Sequence, residues 1–173
     1  PLWIRTTPSL VQAGARPLPA YRTVNMSQAR GRWLTGVAPE KQKDLIPPGW
    51  FEAWADATIK SDPKGAAQNP PVLRAPNGVL LDGSRYWAAP QGQQKLPYSP
   101  ADIRVPTLLI KAEWDADTPT YMAATLFPLL VNAPYKRYVE IGEGTHTVVM
   151  EKNRMNLFRE VQLFLDDNHL PGR

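Results

Sequence analysis

Two stretches of the 173-residue chain carry side chains that could do acid–base chemistry together. The first, Ala112-Glu113-Trp114-Asp115-Ala116-Asp117-Thr118-Pro119, is crowded with carboxylates; the second, Gly142-Glu143-Gly144-Thr145-His146-Thr147, holds a lone histidine among glycines. A carboxylate beside an imidazole makes a general base, because the acid orients the ring and stabilises its protonated form while it takes a proton from a nucleophile. Asp115 and His146 are the candidate pair. Each also has a plainer reading: Asp115 could cap the helix that Pro119 opens or pair with a neighbouring cation, and an isolated histidine is commonly a hydrogen-bonded structural residue. Asp117 competes as the acid, although it lies nearer the helix start and suits capping better. His169, in the tail Asn168-His169-Leu170-Pro171, is assigned to solvent. The chain has no cysteine, which removes disulfides, thiolate metal sites and cysteine nucleophiles. No metal and no cofactor is expected.

The elements that must position this pair can be read around it. Val105-Pro106-Thr107-Leu108-Leu109-Ile110 is a continuous apolar run, as expected of a strand buried on both faces of a parallel sheet. Thr118-Pro119 supplies a cap and a first helical position, and Tyr121 to Val131 continues as helix, kinked or shortened by Pro128. Tyr135 to Ile141 reads as a second strand. A final helix runs from about Glu151 to Asp167 with Met155, Phe158, Val161, Phe164 and Leu165 on one face. Strand, helix, strand, helix with short connections is a βαβ pattern belonging to a doubly wound α/β sheet. Functional groups of such sheets gather on the loops after the carboxyl ends of the strands, which is where both Asp115 and His146 fall.

The preceding hundred residues have another rhythm. Fifteen of the 19 prolines lie at or before Pro106, and proline, lacking a backbone donor, confines a chain to short helices and turns. Met26, Ala29, Arg30, Trp33 and Leu34 follow helical spacing, with Thr23 or Asn25 as cap and Gly36 as stop. Pro39 opens a short helix reaching Ile46. After Pro47-Pro48, the residues Phe51, Trp54, Ala55, Thr58 and Ile59 form one stripe, with Trp50 a turn before Trp54. Residues 72–88 read as short strands or loop. The basic excess behind the net charge of +4 also lies here: residues 1–106 hold 13 Lys and Arg against 7 acids, residues 107–173 hold 7 against 9. It is scattered and no nucleic-acid motif accompanies it, so a solvated, mildly basic face is expected and no nucleic-acid partner.

With these residues in view, the stretch from Val105 to Pro119 resembles the late strand and acid loop of the α/β-hydrolase fold family, and Gly142 to His146 is similar to that family's histidine loop. The resemblance places Asp115 on the triad acid and His146 on the triad base, is specific from about Ala101 to Asp167, and implies a three-layer αβα core with parallel strands. Lys111-Ala112 departs from the His-Gly or Val-Gly pair frequent in the family. Over residues 7–100 the likeness is general and implies a mostly helical cap or lid, with residues 1–6 as the end of a core strand and residues 101–173 as the core region carrying both loops. Trp50, Trp54 and Trp114 are then candidate substrate-binding aromatics, whereas Trp33 suits a core.

The family's nucleophile stands on a G-x-S-x-G elbow upstream of acid and base. Of the five serines, Ser9, Ser27, Ser61, Ser84 and Ser99, none has that setting, and Gly83-Ser84 is the nearest miss. The chain, which opens on Pro1, therefore reads as the C-terminal half of a capped hydrolase of ester or amide bonds, inactive by itself, whose nucleophile and oxyanion donors lie elsewhere. Two alternatives stand beside it: a parent with an aspartate nucleophile, as in the dehalogenase and epoxide-hydrolase branches, and a non-catalytic binding or scaffold chain that keeps part of the fold. The expected partner is a small-molecule substrate. Self-association through an exposed edge of the Pro1–Arg5 strand is a further expectation. No apolar run is long enough to span a bilayer and no leader pattern opens the sequence, so no membrane partner and a cytoplasmic location are expected.

Overall fold

A computed structural model of the chain describes residues 19–77 and 98–167. The chain divides into two compact units, one within Pro1–Arg32 and Pro48–Pro97, the other within Trp33–Pro47 and Tyr98–Arg173. Both are mixtures of helix and strand, so the molecule is of mixed α/β type with one antiparallel and one parallel pair of strands. The expected Pro1–Arg5 strand edge, Ser84 and His169 lie outside the described residues.

In the first unit β1 (Tyr21–Val24) runs antiparallel to β2 (Leu73–Pro76). Asn77 closes the ribbon: its amide nitrogen donates to the Pro19 carbonyl at 2.8 Å, and its side-chain oxygen accepts from Arg22 at 3.1 Å. Helix α1 (Met26–Trp33) opens with a reciprocal cap, in which the Asn25 side chain accepts from the Gln28 N–H at 2.8 Å and the Gln28 side chain accepts from the Asn25 N–H at 3.0 Å. Of the two caps expected, Asn25 is the one used. Helix α3 (Trp50–Lys60) buries Phe51 and Ala55 from the stripe read in the sequence. Asp62 caps the short α4 (Pro63–Ala66) and also receives two hydrogen bonds from the Arg74 guanidinium, which holds its carboxyl below the usual carboxylate range.

The second unit contains the βαβ pattern. Strands β3 (Thr107–Ala112) and β4 (Lys136–Ile141) pair in parallel from Thr107 opposite Lys136 to Ala112 opposite Ile141, and helix α5 (Thr120–Leu129) connects them. Ala112, Ile141 and Val148 form a small apolar core, with Ile110, Val139 and Leu157 packed against it. Pro128 falls in the last turn of α5 and the helix ends one residue later, so the shortened version of that helix is the one that forms.

Four expectations need correction. β3 starts at Thr107 rather than Val105, which is exposed, and among the described residues it pairs only with β4, so most of the strand is half-buried rather than covered on both faces. The last helix, α6, is shorter than expected (Arg154–Asp166), and Met155, Phe158 and Leu165 of its stripe are exposed; it meets the sheet through Leu157. The helix from Pro39, α2, stops at Gln42 (Pro39–Gln42), after which the chain turns Leu45 fully inward. Residues 33–47, read in the sequence as part of a continuous region 7–100, cluster with the second unit because Trp33, Gly36 and Leu45 meet its loops.

Tyr138 on β4 stands beside Phe127 with ring centroids 5.8 Å apart, and its buried hydroxyl finds no hydrogen-bond partner among the described residues. Burial, with some help from the Glu140 charge, pushes the phenol above its ordinary pKa. Tyr138→Phe deletes an unsatisfied polar atom and keeps the ring, so it is expected to be neutral or to raise stability by about 1 kcal/mol in urea unfolding. A clear loss of stability would reveal a partner for the hydroxyl.

Candidate active site

Asp115 and His146 are brought together. After β3 ends, Asp115 folds back under its own loop: one carboxylate oxygen accepts from the backbone N–H groups of Asp117 and Thr118, each at 2.9 Å. The other accepts from the Thr118 hydroxyl and faces Nδ1 of His146 at 3.0 Å. Such a turn, closed by an aspartate onto the next residues, needs a short acceptor side chain followed by free N–H groups, which Asp115-Ala116-Asp117-Thr118 provides. Asp117 contributes its backbone N–H to Asp115, and the carboxylate facing the imidazole is that of Asp115. Thr118, expected to cap α5, spends its hydroxyl on Asp115 instead, and the helix begins after Pro119.

The two loops are also joined through the backbone. The Trp114 N–H donates to the Gly144 carbonyl at 2.8 Å and the Glu113 N–H to the Ile141 carbonyl at 2.9 Å, which extends the parallel ladder past the strand ends. The Glu113 side chain accepts from the Glu143 N–H at 2.8 Å. Lys111, the departure noted in the sequence, is buried, lies 3.3 Å from Glu140 on the paired strand, and donates to the Glu113 carbonyl at 3.1 Å. It therefore braces the start of the acid loop. Gly144 is required by closeness, since a Cβ there would lie 2.7 Å from a methyl of Val148.

The pair differs in exposure: the Asp115 side chain is 7% exposed and that of His146 45%. Burial alone would raise the pKa of Asp115, but the hydrogen bonds from the Thr118 hydroxyl, the Thr118 N–H and His146 outweigh it and hold the carboxyl below its ordinary value. A depressed pKa in the folded state means that the unfolded chain binds the proton more readily. Asp115 therefore adds stability that is complete above the unfolded pKa of about 4 and fades as pH falls through the folded value. The stability difference between the wild-type chain and Asp115→Asn is expected to shrink as pH falls below about 4 in urea titrations. A difference that grew below that pH would contradict this.

No family model, no curated protein and no solved structure matches this chain. The site has to be judged on its own geometry. Trp114 is half-buried on the acid loop, while Trp50 and Trp54 are half-buried on α3 in the first unit. A groove of about 560 Å³ in that unit is lined by Met26, Arg30, Phe51, Ala55 and Ile59 among others, so its aromatic is Phe51 rather than Trp50 or Trp54. Trp33 is buried, as a core residue would be. Among the described residues no group of three or more His, Cys, Asp or Glu could hold a metal ion, and no described helix is long and apolar enough to cross a membrane.

The sequence reading missed Thr118 as a partner of the acid and Gly36 as a support. Gly36 has φ +91°, and its α-carbon approaches the acid loop so closely that an added Cβ would lie 2.3 Å from the Trp114 carbonyl oxygen. A signal for Thr118 was present, because a hydroxyl three residues after an aspartate is a common turn partner. None marked Gly36, whose role depends on a contact with residues far along the chain.

Proposed function

We propose that this chain supplies the acid and the base of an α/β-hydrolase-type enzyme that cleaves ester or amide bonds of a small molecule, with nucleophile and oxyanion donors coming from polypeptide outside it. The observation that carries the reading is the 3.0 Å contact between the buried Asp115 carboxylate and Nδ1 of the half-exposed His146, made by loops that follow two paired parallel strands. Ionised Asp115 keeps the proton on Nδ1, so Nε2 is the basic nitrogen. That nitrogen takes the proton of a nucleophilic hydroxyl, or of water, as the substrate carbonyl is attacked. The imidazolium so formed faces a carboxylate and then gives its proton to the leaving group. In this reading β3 and β4 are two neighbouring strands of a larger three-layer core, and Trp114, beside the acid, is the nearest candidate to touch substrate.

The test is hydrolysis of p-nitrophenyl acetate by the complete protein that the gene encodes, with labelling by a fluorophosphonate. Activity abolished by His146→Ala, together with labelling of a serine, would support the serine version. Activity without labelling would favour an aspartate nucleophile, and hydrolysis indifferent to His146 and Asp115 would overturn the proposal. No hydrolysis of any ester or amide would favour a binding chain.

A further inference from the structure

We infer that Glu151 is a positioning residue for His146, a buried carboxylate that grips the backbone on both sides of the imidazole; this rests on the reading of Asp115 and His146 as an acid–base pair. Glu151 is 0% exposed. One of its carboxylate oxygens accepts from the Thr145 N–H at 2.9 Å, and the other accepts from the Thr147 hydroxyl at 2.8 Å and from the Thr145 hydroxyl. Its contacts thus fall on the two residues that flank His146. Thr145, itself 1% exposed, accepts the Thr147 N–H at 3.2 Å, and the Lys152 N–H, next to Glu151, donates to the Leu45 carbonyl at 2.9 Å, so the grip is anchored to residues 33–47 as well.

A buried carboxylate is costly unless its oxygens are hydrogen-bonded, so a group serving only to fill space would be better apolar. The helical start that follows does not need this side chain, because Arg154 is bonded to the Glu151 backbone carbonyl through both its N–H and its guanidinium, each at 3.1 Å. The carboxylate is spent on the histidine loop. A half-exposed imidazole with one hydrogen bond among the described residues has little else there to fix its direction, and an acid–base pair tolerates only about 0.5 Å and 10–20° of misplacement. The turn Val148–Met150 brings Glu151 back beneath the loop, with the Val148 N–H donating to the Thr145 carbonyl at 3.0 Å. By clamping Thr145 and Thr147, Glu151 sets the angle at which Nδ1 meets Asp115.

The experiment is proton and nitrogen NMR of the full 173-residue chain, following the low-field Nδ1–H resonance of His146, identified by its loss in His146→Asn. The wild-type chain and Glu151→Gln are expected to show it, since an amide can accept the Thr145 N–H through its oxygen and donate to the threonine hydroxyls. Glu151→Ala is expected to lose it, or to exchange that proton with water at least tenfold faster, while amide signals of the strands persist. In the complete protein the same variant should lower kcat about 100-fold with KM unchanged, with recovery in Glu151→Gln. A folded Glu151→Ala chain with an unaltered resonance overturns the inference. If that variant does not fold, Thr147→Val is read in the same way, and an unchanged proton exchange rate there also overturns it. Absence of the resonance from the wild-type chain, with Thr145 and Thr147 amides protected, would instead overturn the acid–base reading and leave Glu151 as a loop brace only.

Discussion

Asp115→Asn is expected to lower kcat for the proposed ester hydrolysis about 10⁴-fold with little change in KM, the effect known for an Asp→Asn exchange in a Ser-His-Asp triad. The expectation follows from which atom faces the imidazole. An asparagine oxygen can still accept from the N–H groups of Asp117 and Thr118, so the loop keeps its turn. The amide nitrogen then takes the position of the oxygen that lies 3.0 Å from Nδ1. As a donor, it selects the tautomer with its proton on Nε2, and that nitrogen can no longer accept one. Steady-state kinetics beside circular dichroism would check this. A loss of less than about tenfold in a folded variant would show that Asp115 does not control the imidazole.

Gly36→Ala is expected to destabilise the second unit by about 2–5 kcal/mol, the sum of left-handed backbone strain and overpacking. The residue has φ +91°, and its Cβ would lie 2.3 Å from the Trp114 carbonyl oxygen and 3.1 Å from the Ala116 side chain, the neighbours of Asp115 on either side. Backbone atoms cannot swing aside as the end of a long side chain can. The acid loop must move, and the Nδ1–H resonance of His146 should weaken with it. Gly31→Ala is the control: a Cβ there meets nothing within 4 Å, and its helical site in α1 predicts a gain of about 0.8–1.0 kcal/mol. Urea unfolding of both variants separates the effects, and equal stability for the two would refute the close approach at Gly36.

The part of the site that was legible in the sequence is the part written in side chains. Carboxylates and a histidine on loops after two apolar runs gave the pair, and a strand, helix, strand order gave its scaffold to within a residue or two. Pro106 and Val105 shifted the start of β3, because a proline supplies no ladder donor and Val105 is left exposed. Residues 33–47 were misplaced for a different reason. Apart from an exposed Lys41–Glu143 ion pair, their links to the loops run through the backbone carbonyls of Trp33 and Leu45 and the bare α-carbon of Gly36, and every residue type has a carbonyl. Lys111 was visible only as an oddity; its meaning came from the parallel register that sets it opposite Glu140. Glu151 looked like the start of a helix because periodicity reports which face is apolar and says nothing of a carboxylate turned back toward the preceding loop.

The Lys152 N–H donates to the Leu45 carbonyl at 2.9 Å, and the Thr145 hydroxyl reaches the Trp33 carbonyl across a sequence separation of 112. These contacts give the molecule a schedule. On a ribosome the β1–β2 ribbon can close once Pro76 has emerged, whereas Trp33 and Leu45 must wait for residues made more than a hundred positions later, and Gly36 for the acid loop at Trp114. Closing so long a loop costs only slightly more entropy than closing a short one, but contacts of this span slow folding. The imidazole and its acid are therefore among the last groups to reach their places, and a chain cut short before Gly142 would be released with Trp33 and Leu45 still lacking the residues they meet.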